Sequence, residues 1–95
     1  MIFVINNLKY NTDNMELISE KCKYTYKNNI FGIIYSAYNV KLWKSKKNNW
    51  LVTYTYDKNS TKNIGEALSE NEAKNLLLRY DLEAYEKLFG ELEEA

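Results

Sequence analysis

Ninety-five residues, 45% of them hydrophobic and 27% charged, suit one domain with a modest core and are too apolar for a disordered chain. The formal charge is zero, but it is divided: residues 1–63 carry ten lysines against four carboxylates, residues 64–95 three cations against nine carboxylates. Histidine is absent and cysteine occurs once, at Cys22, which removes Ser-His and Cys-His nucleophile pairs, ordinary zinc sites and an internal disulfide.

Neither a signal-peptide core nor a run of about 18 apolar residues is present, so a cytoplasmic protein without a membrane partner is expected. Proline is absent and there are three glycines. Turns therefore fall to Asn, Asp and Ser, which tolerate left-handed backbone and bond to their own main chain. Residues 2–6, "IFVIN", read as an apolar strand ending at Asn6-Asn7. Residues 12–22, "TDNMELISEKC", read as a helix: Asp13 with Glu16 fits a capping box, and Met15, Ile18 and Cys22 share a helical face. Cys22 is a core residue on this reading.

Residues 23–27 and 30–38 read as two strands joined at Asn28-Asn29. A second hairpin follows, residues 40–44 and 50–56, across the loop "SKKNN". In its return strand Trp50, Val52, Tyr54 and Tyr56 share one face and Leu51, Thr53 and Thr55 the other. After the polar loop 57–63, residues 64–68 add a short extended stretch. Ser69 and Glu72 form a capping box ahead of a helix whose apolar stripe is Ala73, Leu76, Leu77 and Tyr80. Asp81 caps a second helix with Leu82, Tyr85, Leu88 and Phe89 inward, ended by Gly90. Residues 91–95 form a frayed acidic tail.

The expected fold is thus α+β over residues 1–95: an antiparallel sheet of four to five strands in two hairpins, covered by one N-terminal and two short C-terminal helices. No glycine-rich phosphate loop of the GxxxxGK(S/T) or GxGxxG kind occurs. The paired carboxylates sit on helix starts or in the tail, where solvation prevents the separated pKa values that acid–base catalysis needs. An enzyme is not expected, nor a metal or cofactor.

Binding is the expected class, with three candidate surfaces. In the first, Lys44, Lys46 and Lys47 contact phosphates while Trp43 or Trp50 stacks on a base, a combination used by single-strand binders; a solvated hairpin tip explains the same residues. The second is acidic: Glu70, Glu72, Glu83, Glu86, Glu91, Glu93 and Glu94 suit a basic groove built for nucleic acid. Helix-dipole preference explains Glu70, Glu72 and Glu83 without a partner, but not the tail. The third is a tyrosine set, Tyr24, Tyr26, Tyr35, Tyr38, Tyr54 and Tyr56, which suits protein contacts.

Three segments, "KYNTDNMELI" (9–18), "KLWKSKKNNWLV" (41–52) and "ALSENEAKNLLLRYDLEAYEKLFGELEEA" (67–95), resemble a group of small proteins of Gram-positive bacteria and their phages and plasmids. That group runs Y-(D/N)-T plus a helix, then L-Y-R-T-K-x-G-x-(F/W)-(F/L), and closes L-T-E-E-E-A-x-x-(W/L)-L…Y-E-E-L-F-G-E-x-E-E. The match is specific at Ser69-Glu70, Glu72-Ala73, Tyr85-Glu86 and Phe89-Gly90-Glu91. In the middle Asn48 or Asn49 replaces the hairpin glycine, and "DKNSTKN" replaces a glycine-rich stretch. The mobile-element setting of the group implies an inhibitor of host defence of the anti-CRISPR kind, a monomer or homodimer that binds a host CRISPR effector complex and occludes its nucleic-acid channel. The alternative is a small nucleic-acid-binding accessory protein using Trp43, Lys44, Lys46 and Lys47.

Overall fold

A computed structural model describes residues 1–28 and 30–95. Eight strands run Ile2–Ile5 (β1), Leu8–Asn11 (β2), Glu16–Ser19 (β3), Thr25–Lys27 (β4), Ile34–Ser36 (β5), Tyr38–Lys44 (β6), Trp50–Thr55 (β7) and Ile64–Leu68 (β8), and two helices follow, Glu70–Tyr80 (α1) and Leu82–Phe89 (α2). The strands form three antiparallel sheets: β1-β2, the four-stranded β3-β6-β7-β8, and β4-β5. This mostly-β layout replaces the expected single sheet under three helices. Both helices are C-terminal.

The expected N-terminal helix does not form. Asn11, not Asp13, caps a single 3-10 turn over Thr12–Asn14, its side-chain oxygen accepting from the Asp13 amide at 3.1 Å. The chain then extends as β3, with Glu16 opposite Lys44 and Leu17 opposite Trp43. A register shift between Leu17 and Ser19 breaks the alternation of two. Ile18, the extra residue, packs against the core that holds Cys22, while Met15 lines a surface cleft, so their helical spacing is coincidental and the edge of β6 takes the segment. The expected strand 2–6 likewise becomes a hairpin: Asn6 and Asn7 both take left-handed backbone, φ 51 and 64, and turn β1 back into β2.

The hairpin expected over 40–56 forms as β6 and β7, in the register Leu42↔Val52 and Trp43↔Leu51. Strand β7 is central and rich in β-branched and aromatic residues, and it is buried on both faces. Towards the helices, Trp50, Val52 and Tyr54 join Val40, Leu42, Cys22, Ala73 and Leu77 in the core. Leu42, Val52 and Leu77 are wholly buried, each contributing about 1.5–3 kcal/mol relative to exposure. On the opposite face Leu51 and Thr53 are also wholly buried. Part of their cover is the β1–β2 hairpin, whose Phe3 ring lies over Gly65 of β8 so closely that a Cβ there would stand 2.7 Å from it.

The helices begin and end where the residues dictate. Ser69 and Glu72 exchange hydrogen bonds of 3.1 and 3.0 Å in a capping box, Asp81 caps α2 through the Ala84 amide, and Gly90 stops it at φ 96. Ala73 and Leu77 are buried as the stripe requires, whereas Leu82, expected inward, is exposed. Residues 91–95 carry no regular structure and are exposed.

Candidate functional sites: a lysine cleft and an acidic helical end

The loop 45–49 is a tight turn. Ser45 accepts from the Asn48 amide and, through its hydroxyl, from the Asn49 amide, both at 3.0 Å. Asn48 takes the left-handed conformation at φ 64, so it occupies the place glycine would otherwise fill. This turn raises Lys46 and Lys47 into solvent. Lys44, Lys46 and Lys47 line one wall of an open cleft of about 990 Å³, and Lys9 of β2 stands on the other. Asn11, Asn14, Asp13 and Glu16 line it too. Four ammonium groups against two carboxylates leave the cleft cationic.

Lys9 was not among the expected residues. Its signal was the apolar–Asn-Asn–apolar pattern of a hairpin over residues 2–11, which brings the β2 strand alongside the loop. Trp43 moves the other way. Its register places it on the Leu51 face, and its indole nitrogen donates to Thr53 at 2.9 Å. It is half-buried, outside the cleft lining, and offers no base a stacking platform there. Trp50 faces the helices, 2% exposed, with its ring 6.3 Å from Phe89.

The carboxylates expected to act together are divided by the turn at Asp81. The Lys74 ammonium lies 4.7 Å from the centre of the Phe89 ring, so α2 doubles back along α1. The tail with Glu91, Glu93 and Glu94 therefore starts beside the N-terminal half of α1, which carries Glu70 and Glu72. Glu83, in the first turn of α2, belongs to the far end of the helical pair. Glu72 is engaged in its capping box, and Glu86 accepts from the Leu92 amide at 3.0 Å; Glu70, Glu91, Glu93 and Glu94 are exposed.

Compared with known protein families, curated proteins and solved structures, the chain matches none.

Two ion pairs occur among the described residues, Met1 amine with Asp13 at 3.9 Å and Lys41 with Glu20 at 3.8 Å. Both lie within the basic first 63 residues. Among the described residues no ion pair joins the basic part to the acidic part, so the charge division is not consumed by ion pairs there.

One other polar cluster has the residue types of a nucleophile site. Ser19 donates to Asp81 at 2.6 Å and accepts from Cys22 at 3.7 Å and from the Lys21 amide at 3.1 Å. Burial pushes the Cys22 thiol above its ordinary value, with Asp81 adding to the rise against the Ser19 hydrogen bond. A protonated, buried thiol is a poor nucleophile, and the cluster reads as a joint fastening the end of β3 to the start of α2. No group of His, Cys, Asp or Glu able to hold a metal ion occurs among the described residues, and no helix there is long and apolar enough to cross a membrane.

The tyrosines stack. Tyr26 lies 5.4 Å from Tyr54, 5.6 Å from Tyr35 and 4.9 Å from Tyr56, and Tyr24 lies 5.4 Å from Tyr54. Tyr54 donates to the Glu66 carboxylate at 2.5 Å. Burial, then the Glu66 charge, push the Tyr24 phenol up to about 12, and burial with the Glu66 hydrogen bond raises Tyr54 further. The stack holds the β4–β5 hairpin to the main sheet.

Proposed function

We propose that this protein is a non-enzymatic binding protein of the bacterial cytoplasm whose acidic helical end docks in a basic, nucleic-acid-handling channel of a larger complex. The observation that carries this reading is the unpaired charge division: nine carboxylates in the last 32 residues, none bridged to the lysines of the first 63 among the described residues. Carboxylates left unbridged project a field that a channel built for phosphates answers. The resemblance to mobile-element proteins adds the partner class, a host CRISPR effector complex, and the mode of action, stoichiometric occlusion. Glu70, Glu91, Glu93 and Glu94 make the docking face, with Glu83 and Glu86 further along α2. Reversing Glu91, Glu93 and Glu94 to lysine should abolish both capture of a purified effector and inhibition of its target cleavage, with the circular dichroism unchanged. Inhibition that survives the reversal removes the acidic face from the mechanism.

A second reading rests on the lysine cleft. Lys9 joining Lys44, Lys46 and Lys47 supports a nucleic-acid accessory protein that grips phosphates without stacking. Retention on single-stranded DNA should then fall steeply with added salt, and Lys46→Glu with Lys47→Glu should remove it. No retention at low salt ends this alternative.

A further inference from the structure

The tip of the β4–β5 hairpin is apolar and uncovered. Ile30 is 81% exposed, Phe31 74%, Ile34 68% and Ile33 48%, a density of exposed large side chains that isolated surface residues do not produce. The described residues around the tip are tied by their own hydrogen bonds. Asn28 accepts on its side-chain oxygen from the Ile30 and Phe31 amides at 2.8 and 3.3 Å, and on its carbonyl from Gly32 at 2.8 Å. Its own amide donates to Ile33 at 2.8 Å. The amides of Ile30, Phe31 and Gly32 thus find partners within the loop, which is part of what placing backbone in an apolar medium requires.

Behind the tip the side chains change in order. Lys27 stands opposite Ile34, and its Cε, the carbon that carries the ammonium, lies 3.7 Å from where a Cβ on Gly32 would stand, so its charge sits at the base of the tip. Next come half-exposed tyrosines, Tyr35, Tyr38 and Tyr56, and then Lys23 and Lys21. From residue 21 to residue 38 the chain has three lysines and no carboxylate, while Glu66 and Asp57 face the tyrosines from behind the hairpin. Apolar tip, tyrosine girdle and lysine collar match the hydrocarbon, interface and anionic headgroup zones of a bilayer surface.

We infer that the β4–β5 hairpin is a peripheral attachment site for anionic phospholipid surfaces, with Ile30 and Phe31 entering the acyl layer and Lys21, Lys23 and Lys27 meeting the headgroups. This departs from the expectation of no membrane partner, which considered only segments long enough to span. It is independent of the acidic end, on the other side of the charge division.

The test is co-sedimentation of the full chain with vesicles of phosphatidylcholine alone and with about one-third phosphatidylglycerol. Binding should require the anionic lipid and weaken with salt. Ile30→Ser with Phe31→Ser should cut it at least about tenfold, with near-ultraviolet circular dichroism of the tyrosine stack unchanged. Lys23→Glu with Lys27→Glu should also cut it, and Phe31→Trp should retain it with emission quenched by brominated acyl chains. No pelleting with anionic vesicles overturns the inference, as does pelleting indifferent to the tip substitutions. Tip-dependent self-association without vesicle binding overturns it too, and assigns the tip to a second copy of the chain.

Discussion

The β1–β2 and β4–β5 hairpins are built alike and end up differently. Each is a two-stranded excursion from the four-stranded sheet, too small to hold its shape alone. The first is tied by shape: Phe3 fills the space that Gly65 leaves open, and Thr12 closes its base by accepting from the Met1 amine at 3.0 Å. The second is tied by stacked phenols around Glu66, and Ile30, Phe31, Ile33 and Ile34 at its tip stay exposed. A hairpin's function follows from which of its faces the rest of the chain leaves open.

Alkali should separate the two most completely. Tyr24 is held at about 12 and Tyr54 is raised further, against about 10 in an unfolded chain. The unfolded state therefore loses these protons first, and stability present below pH 10 declines as pH rises through 12. The Phe3–Gly65 contact contains no ionisable group. Methyl resonances of Ile33 and Ile34 should shift to random-coil positions before that of Ile5; simultaneous loss would mean that one cooperative unit holds both hairpins.

Among substitutions, Tyr26→Ala removes the ring that touches Tyr35, Tyr54 and Tyr56, and should cost about 3 kcal/mol in urea unfolding. Tyr26→Phe keeps the ring and should stay within about 0.5 kcal/mol. Gly65→Val drives a side chain into the Phe3 ring and should cost about 2 kcal/mol, and a Phe3→Ala background should reduce that by about 1 kcal/mol in a double-mutant cycle. The smallest effect is a gain. Asn7→Gly relieves left-handed backbone in the first turn and should stabilise by about 0.5 kcal/mol, whereas the same change at Ile30 or Phe31 should leave the β1–β2 hairpin untouched.

The parts legible in the residues are those governed by neighbours a few positions away. The Ser69–Glu72 box, the Asp81 cap, the Gly90 stop and the alternation of β7 each act within about one turn or one strand pair. Residues 12–22 carry apolar positions at helical spacing, yet pairing with the edge of β6 makes residues 16–19 a strand, a choice that no local spacing reveals. Leu82 fits the inward stripe by spacing, yet the sharp joint at Asp81 turns it outward. Of the candidate groups, Glu70, Glu72, Glu83, Glu91, Glu93, Glu94, Lys46 and Lys47 are exposed, while Lys44 and Glu86 are half-buried. Lys9 opposite the loop and Trp43 turned away from it were not readable, since both depend on strand register.

By itself the sequence determined the caps of the two C-terminal helices, those helices themselves, the left-handed Asn turns and the division of charge, because each is set by covalent neighbours or by composition. Tertiary structure alone decided that β7 would be covered on both faces, that no ion pair among the described residues would join the acidic and basic parts, and that one hairpin would be docked along its length while the other was held by its tyrosines with its tip exposed. Those outcomes depend on which surfaces meet at long separation, where burial of apolar area outweighs local preference.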